Sequence, residues 1–306
     1  MAEVKVEMLT IEREKGSSVR SVGKPPWTEK THDGKLERLI LQLGAGKGEF
    51  SEITGIPRSI GCMGNNRFIL RREKLSTDRK KQLIREFQLK GGRELYLTNY
   101  DEVEELIELA EYAGRLGIDE VYAVVRIEDA EKMHPIEGVR IVVEMRNSPE
   151  NWEKLNSLGF ADGVLLMVEA DEYPLEDVPF PGDVYVDVIH PPSMRGVNFN
   201  ILNLRRIDSG STQRYHPCMG GTLAITADGY ALPCPLLRNF VVGDAKKEGI
   251  SKLARKTRLK NMWKITKDRI EPCSACPFKY VCHDCRALEF QASGDPYGVE
   301  YCPLEP

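Results

Sequence analysis

The chain has 306 residues, enough for one large domain or two smaller ones, with 41% hydrophobic and 29% charged residues as in an ordinary globular protein. Its 43 basic residues against 47 acidic ones leave a formal charge of -4, which argues against non-specific nucleic-acid binding. No apolar run reaches membrane-spanning length and the first residues hold no apolar signal core, so no membrane contact is expected, and cysteines suited to metal imply a reducing compartment, the cytoplasm.

Residues 1–35 are polar and irregular. GKPPWTEKTHDGK is rich in turn formers and holds His32 and Asp33, and this stretch reads as a surface extension. From Leu36 regular elements follow: a strand in LERLILQL, then a glycine-bearing stretch GAGKGEF without the G-x4-G-K-[ST] spacing of a phosphate loop. Ser76 caps a helix over STDRKKQLIREFQLKGG that stops at Gly91-Gly92. ELYLT reads as a buried strand. Asp101 opens a helix with an apolar stripe at Val103, Leu106, Ile107, Ala110 and Ala113. Further strands are VYAVVRI, VRIVVEM, GVLLMVE and DVYVDVIH, with a helix from Pro149 to Leu158 between the second and third. Strands apolar throughout, alternating with helical segments, indicate parallel βα units and an α/β fold, a partial (β/α) barrel of about six strands over residues 36–210.

The last third, residues 211–306, holds seven of the eight cysteines. Cys218 and Cys234 flank TLAITADGYALP, two short strands joined by the hairpin signal Asp228-Gly229, which brings both cysteines towards the open end. Cys273, Cys276, Cys282 and Cys285 form C-x2-C-x5-C-x2-C, and Cys302 follows. Thiolates this dense suit iron–sulfur clusters. Zinc is the first competing reading, although five residues between the pairs are few for a zinc ribbon and three cysteines are left over. Disulfides are the second, against an odd number of cysteines.

The spacing of these residues resembles the SPASM domain, the auxiliary-cluster module of many radical SAM enzymes that modify peptides and proteins. After Cys218 come ten residues, Gly229, four residues and Cys234. The departure is x2 rather than x3 before Cys285. By position, the resemblance implies that Cys273, Cys276, Cys282 and Cys302 hold one [4Fe–4S] cluster and that Cys218, Cys234 and Cys285 hold another. No cysteine lies shortly upstream of Cys218 to complete the second set, so His216, solvent or a substrate atom is the candidate fourth ligand; the plainer role for His216 is a turn residue.

The segment from Leu36 to Arg206 resembles the radical SAM core, in which a C-x3-C-x2-C loop after the first strand carries the cluster that binds S-adenosylmethionine. Here Cys62 stands at the first position, Asn66 at the second and Ile69 at the third, with Phe68 keeping the usual aromatic. One cysteine cannot hold that cluster. The family's Gly-Gly-Glu-Pro stretch is replaced after ELYLT by Asn99, Tyr100, Asp101 and Glu102. The resemblance therefore implies a degenerate member without S-adenosylmethionine, in which Cys62 is a small apolar remnant of the barrel mouth.

The expected function is a non-catalytic electron-transfer or substrate-presenting subunit for a radical SAM peptide-, protein- or cofactor-modifying system, with an active radical SAM enzyme or redox donor as partner and a peptide as a further ligand. One alternative is an enzyme that uses an open iron of the three-cysteine cluster. The other is a zinc-binding interaction module. Lys246, Lys247, Lys252, Arg255, Lys256, Arg258 and Lys260 read as one strongly basic helix, a solvated bridge or a docking face for an acidic partner. His190 closes a strand end before Pro191-Pro192, where a capping role is the plain alternative to a functional one. Asp183 and Asp187 share a strand face, and His283 and Asp284 sit within the cysteine loop, where they shape it or face solvent.

Overall fold

The computed structural model describes residues 7–9, 19–47, 60–98, 101–169, 178–189, 201–203, 212–300 and 302. Strands β1 (Glu7–Leu9), β2 (Val19–Val22) and β3 (Arg38–Gln42) come first. Helix α1 (Thr77–Leu89), β4 (Glu94–Thr98), α2 (Val103–Gly114), β5 (Glu120–Arg126), β6 (Arg140–Arg146), α3 (Pro149–Leu158), β7 (Gly163–Glu169) and β8 (Asp183–Ile189) then alternate. The C-terminal part adds β9 (Ile201–Asn203), β10 (Thr222–Ile225), β11 (Tyr230–Leu232), β12 (Gly243–Asp244), α4 (Ile250–Leu253), α5 (Thr257–Trp263) and α6 (Arg286–Ser293).

Ten strands form one sheet in the order β12-β11-β10-β3-β4-β5-β6-β7-β8-β2, and β1 pairs with β9 apart from it. Every pairing from β10 across to β2 is parallel, whereas β11 and β12 return antiparallel. All five residues of β3 and of β4 are buried, as expected of parallel strands covered on both faces. The helices start where the sequence supplies caps: the Ser76 side chain accepts from the Arg79 amide, and that of Ser148 from the Asn151 amide, with Pro149 in the first turn. Helix α2 buries Leu109 in addition to four of the expected stripe residues, and Ile107 is partly buried.

Three expectations are corrected. Residues 19–32 are no irregular surface extension. Val19–Val22 pairs in parallel with β8, and the Gly23 amide donates to the Val186 carbonyl at 2.8 Å, which satisfies an otherwise open sheet edge. The following turn buries Trp27, whose ring meets Tyr96 edge-on at 4.9 Å and carries the Arg38 guanidinium 4.3 Å above it. The sheet also does not end at residue 210, because β10 lies in register on β3, with Thr222 opposite Arg38. The basic stretch is two short helices, α4 and α5, rather than one. Glu248 draws Lys252 to 3.1 Å and Lys256 to 2.7 Å, so part of its charge is neutralised locally. Among the described residues no helix is long and apolar enough to cross a membrane.

Candidate metal centre

The cysteines are positioned from the hairpin outwards. Strands β10 and β11 pair through Ala224–Leu232 and Ile225–Ala231. The turn between them closes with the Gly229 amide on the Thr226 carbonyl at 2.8 Å, and Gly229 takes a φ of +88° that suits a residue without Cβ. Cys218 enters the hairpin and Cys234 leaves it, both buried. The Cys218 carbonyl is fixed by the Trp27 indole N–H at 2.9 Å and the Thr222 hydroxyl at 3.2 Å. His216 Nδ1 accepts from the amides of Cys218 and Met219, each at 3.1 Å, so this nitrogen is engaged in shaping the turn; Nε2 lies 4.0 Å from Asp284.

By electrostatic proximity the cysteines fall into two groups. Cys62 hydrogen-bonds Cys218 and lies in electrostatic reach of Cys234 and Cys285. The hydrogen bond and burial both keep Cys62 a thiol, while the same bond, against the effect of burial, favours the thiolate at Cys218, helped by Arg38. Cys285 responds to Cys218, and burial pushes its thiol up to about 12. Cys273, Cys282 and Cys302 form the other group around Lys267 and Asp284, and burial pushes the Cys282 thiol up to about 12. Cys276 is half-buried beside Cys273 in chain order, and Cys302 is exposed.

Between the groups lies a charged knot that the sequence did not reveal. Lys267 Nζ stands 3.9 Å from Cys273 Sγ and 2.9 Å from Asp284. Arg286, almost fully buried, ion-pairs with Asp284 from the first turn of α6. Burial alone would raise the Asp284 carboxyl, but Arg286 and Lys267 hold it far below the carboxylate range. A small cleft here is lined by Thr212, His216, Lys267, Lys279, Cys282 and Asp284. Asp284 is therefore a largely enclosed, ion-paired anchor rather than a solvent residue. His283 is also buried, and its carbonyl accepts from Cys282 Sγ at 3.6 Å. The charge pattern CHDCR carried a signal for the pair Asp284–Arg286, but Lys267 is too far away in the chain to be associated with it.

The loop after β3 is packed into the mouth of the sheet. The Ile60 amide donates to Asp187 on β8 at 2.9 Å, the Asn65 amide to Glu144 on β6 at 2.8 Å, and the Thr98 hydroxyl on β4 to the Gly64 carbonyl at 3.1 Å. Cys62 and Asn66 are buried and the Asn66 side-chain amide donates to the Gly61 carbonyl, whereas Ile69 is 71% exposed. Asp187 is thus an interior group that holds backbone. Its neighbour on the same face, Asp183, pairs with Arg20 at 2.5 Å and Arg140 at 3.0 Å at the opposite end of the strand. After β4, Asp101 accepts from the Gly46 amide at 3.1 Å and from Lys74 at 2.7 Å, and a Cβ on Gly44 would lie 2.4 Å from its carboxyl carbon. It tethers the loop instead of capping α2, whose N-cap is Glu102. His190 lies outside the described residues.

All-cysteine donor sets fit iron–sulfur clusters. Among the described residues no three His, Cys, Asp or Glu side chains converge on one metal-ion position. The thiolates of a cluster stand on separate irons and need no such convergence. Thiols raised by burial also fit: iron supplies the positive charge that burial withholds, and a coordinating thiol loses its proton outright.

Residues 217–277 match the SPASM family, an iron–sulfur cluster-binding domain, a span that includes Cys218, Cys234, Cys273 and Cys276. No curated protein matches the chain in sequence. In structure the chain is similar to Streptococcus suis SuiB bound to S-adenosylmethionine, at 10% identity and a TM-score of 0.51, covering 89% of this chain and 76% of that one. A second structure of SuiB gives 10% identity, a TM-score of 0.49 and coverage of 89% and 78%. A segment that matches an iron–sulfur cluster-binding domain thus stands beside a large, mostly parallel α/β sheet, and the fold as a whole is similar to that of SuiB.

Proposed function

We propose that the chain is an iron–sulfur protein with two [4Fe–4S] clusters in its C-terminal part and no radical SAM chemistry of its own. It serves a peptide-, protein- or cofactor-modifying radical SAM system in a reducing cytoplasm, as an electron-transfer or substrate-presenting subunit. Cys273, Cys276, Cys282 and Cys302 hold one cluster, and Cys218, Cys234 and Cys285 contribute to the other. Bound there, the clusters supply one-electron transfer at low potential.

One observation carries this reading. The loop that would bear the S-adenosylmethionine cluster has Asn66 and Ile69 at two of its three cysteine positions and is pinned inside the sheet by Thr98, Glu144 and Asp187. Asp101, tied to Gly46 and Lys74, occupies the region where the cosubstrate's amino end is bound in the family. These substitutions and tethers support a mouth without a cosubstrate, beside an auxiliary domain that keeps its cysteines.

The test is chemical. Anaerobically reconstituted protein should carry about eight irons and eight sulfides per chain. With dithionite and S-adenosylmethionine it should form no 5′-deoxyadenosine, and equilibrium dialysis should detect no S-adenosylmethionine binding. About twelve irons together with 5′-deoxyadenosine would overturn the reading, and stoichiometric zinc in place of iron would favour the interaction module.

A further inference from the structure

We propose that Cys62 is the fourth ligand of the cluster held by Cys218, Cys234 and Cys285, an assignment that rests on reading those three cysteines as a [4Fe–4S] site. The residue that resembles the first cysteine of the cosubstrate loop is here turned to the auxiliary domain. It is 5% exposed, lies beside Cys218 and stands within electrostatic reach of Cys234 and Cys285. Its place is set from three strands at once. The bonds from Ile60 to Asp187, from Thr98 to Gly64 and from Asn65 to Glu144 fix the loop on both sides of Cys62.

The neighbouring polar side chains already carry structural roles. His216 Nδ1 receives the Cys218 and Met219 amides, and Asp284 is bound by Lys267 and Arg286. Cys62 is the remaining soft donor at the site, and a thiolate matches cluster iron better than an imidazole or a carboxylate. On loading, each thiol gives its proton to solvent and an S–Fe bond replaces the S–H bond; the protein sulfurs are neither oxidised nor reduced. Four thiolates leave this cluster no open iron. It then transfers electrons without binding substrate, which sets aside the alternative of Lewis-acid catalysis at a three-cysteine cluster.

The experiment uses the full-length chain, reconstituted anaerobically, with cyanide as the probe for an open iron. In the wild type, EPR spectra of the dithionite-reduced protein should not change on adding cyanide. In Cys62→Ala, either about four irons per chain are lost, or the retained cluster shifts with cyanide and passes readily to a [3Fe–4S] signal under ferricyanide. Cys62→Ser should keep its iron with altered g values, because serine can ligate through oxygen. Cys273→Ala should remove the other cluster and leave the cyanide response of this one unchanged. The assignment is overturned if the wild-type cluster of this set binds cyanide, or if Cys62→Ala equals wild type in iron, EPR and cyanide response. Both of those outcomes leave the two-cluster reading intact, whereas wild type without iron would remove that reading itself.

Discussion

Lys267 places an ammonium 3.9 Å from the Cys273 sulfur, a position from which it would stabilise the more negative, reduced form of the cluster proposed there. Burial works against its charge, but Asp284 and the neighbouring cysteines more than restore it. Lys267→Met should lower the reduction potential of the cluster at Cys273 on the order of tens of mV, where 59 mV is a tenfold change in a one-electron equilibrium. Redox titration followed by EPR measures this, and an unchanged potential would show that solvent screens the charge. On β4, Glu94 accepts from Arg38 at 2.7 Å and from Lys30 at 2.7 Å. Burial pushes its carboxyl up, and the two cations reverse this and hold it below the usual range. A depressed carboxyl contributes stability that is complete above its unfolded value, about 4.3, and is lost as pH falls through the folded one. Glu94→Gln should therefore flatten the loss of stability on acidification below about pH 5, measured by urea unfolding of both proteins across that window. Because it also leaves Arg38 without its carboxylate, it should cost about 3–5 kcal/mol at pH 7.

Among the elements, the N-terminal segment contributes most beyond its appearance in sequence. Trp27 is buried against Tyr96 and Arg38 and holds the Cys218 carbonyl. Trp27→Ala should destabilise the fold by about 3–5 kcal/mol, and it should also loosen the first cysteine of the hairpin, so iron retention should fall together with the unfolding midpoint. In the hairpin turn, a Cβ on Gly229 would stand 3.0 Å from Leu75 and 3.1 Å from Arg72, at a positive φ. Gly229→Ala should cost about 1–2 kcal/mol by thermal melting. The βα alternation was legible because β3 to β8 are apolar runs with helices in three of their connections, two of them serine-capped, and the hairpin because Asp228-Gly229 sits between two short apolar segments. Strand β2 was not, since VRSV has no strong strand pattern and becomes a strand only through its partner β8. Nor was the break between α4 and α5, where no glycine or proline interrupts Ala254-Arg255-Lys256. The contact of Cys62 with Cys218 joins the ends of two distant loops, and spacing cannot report it.

At the scale of the molecule, the two parts suggested by cysteine density share one sheet and a dense seam. The Leu75 amide donates to the Ala227 carbonyl at 2.7 Å, Arg72 forks onto Asp244 at 2.6 and 2.9 Å, and the Ile250 amide donates to Glu86 on α1 at 2.7 Å. Urea unfolding should therefore show a single transition in which far-UV circular dichroism and cluster absorbance coincide; two separated transitions would mean independent domains. The register of β10 on β3 has a consequence for biosynthesis. Strand β10 comes near the end of the chain yet pairs with the first strand of the alternating series, so the hairpin finds its place only after most of the protein has been translated. Cluster delivery is accordingly a late event: the nascent chain must keep its thiols reduced and unpaired until its final third has folded back on its beginning.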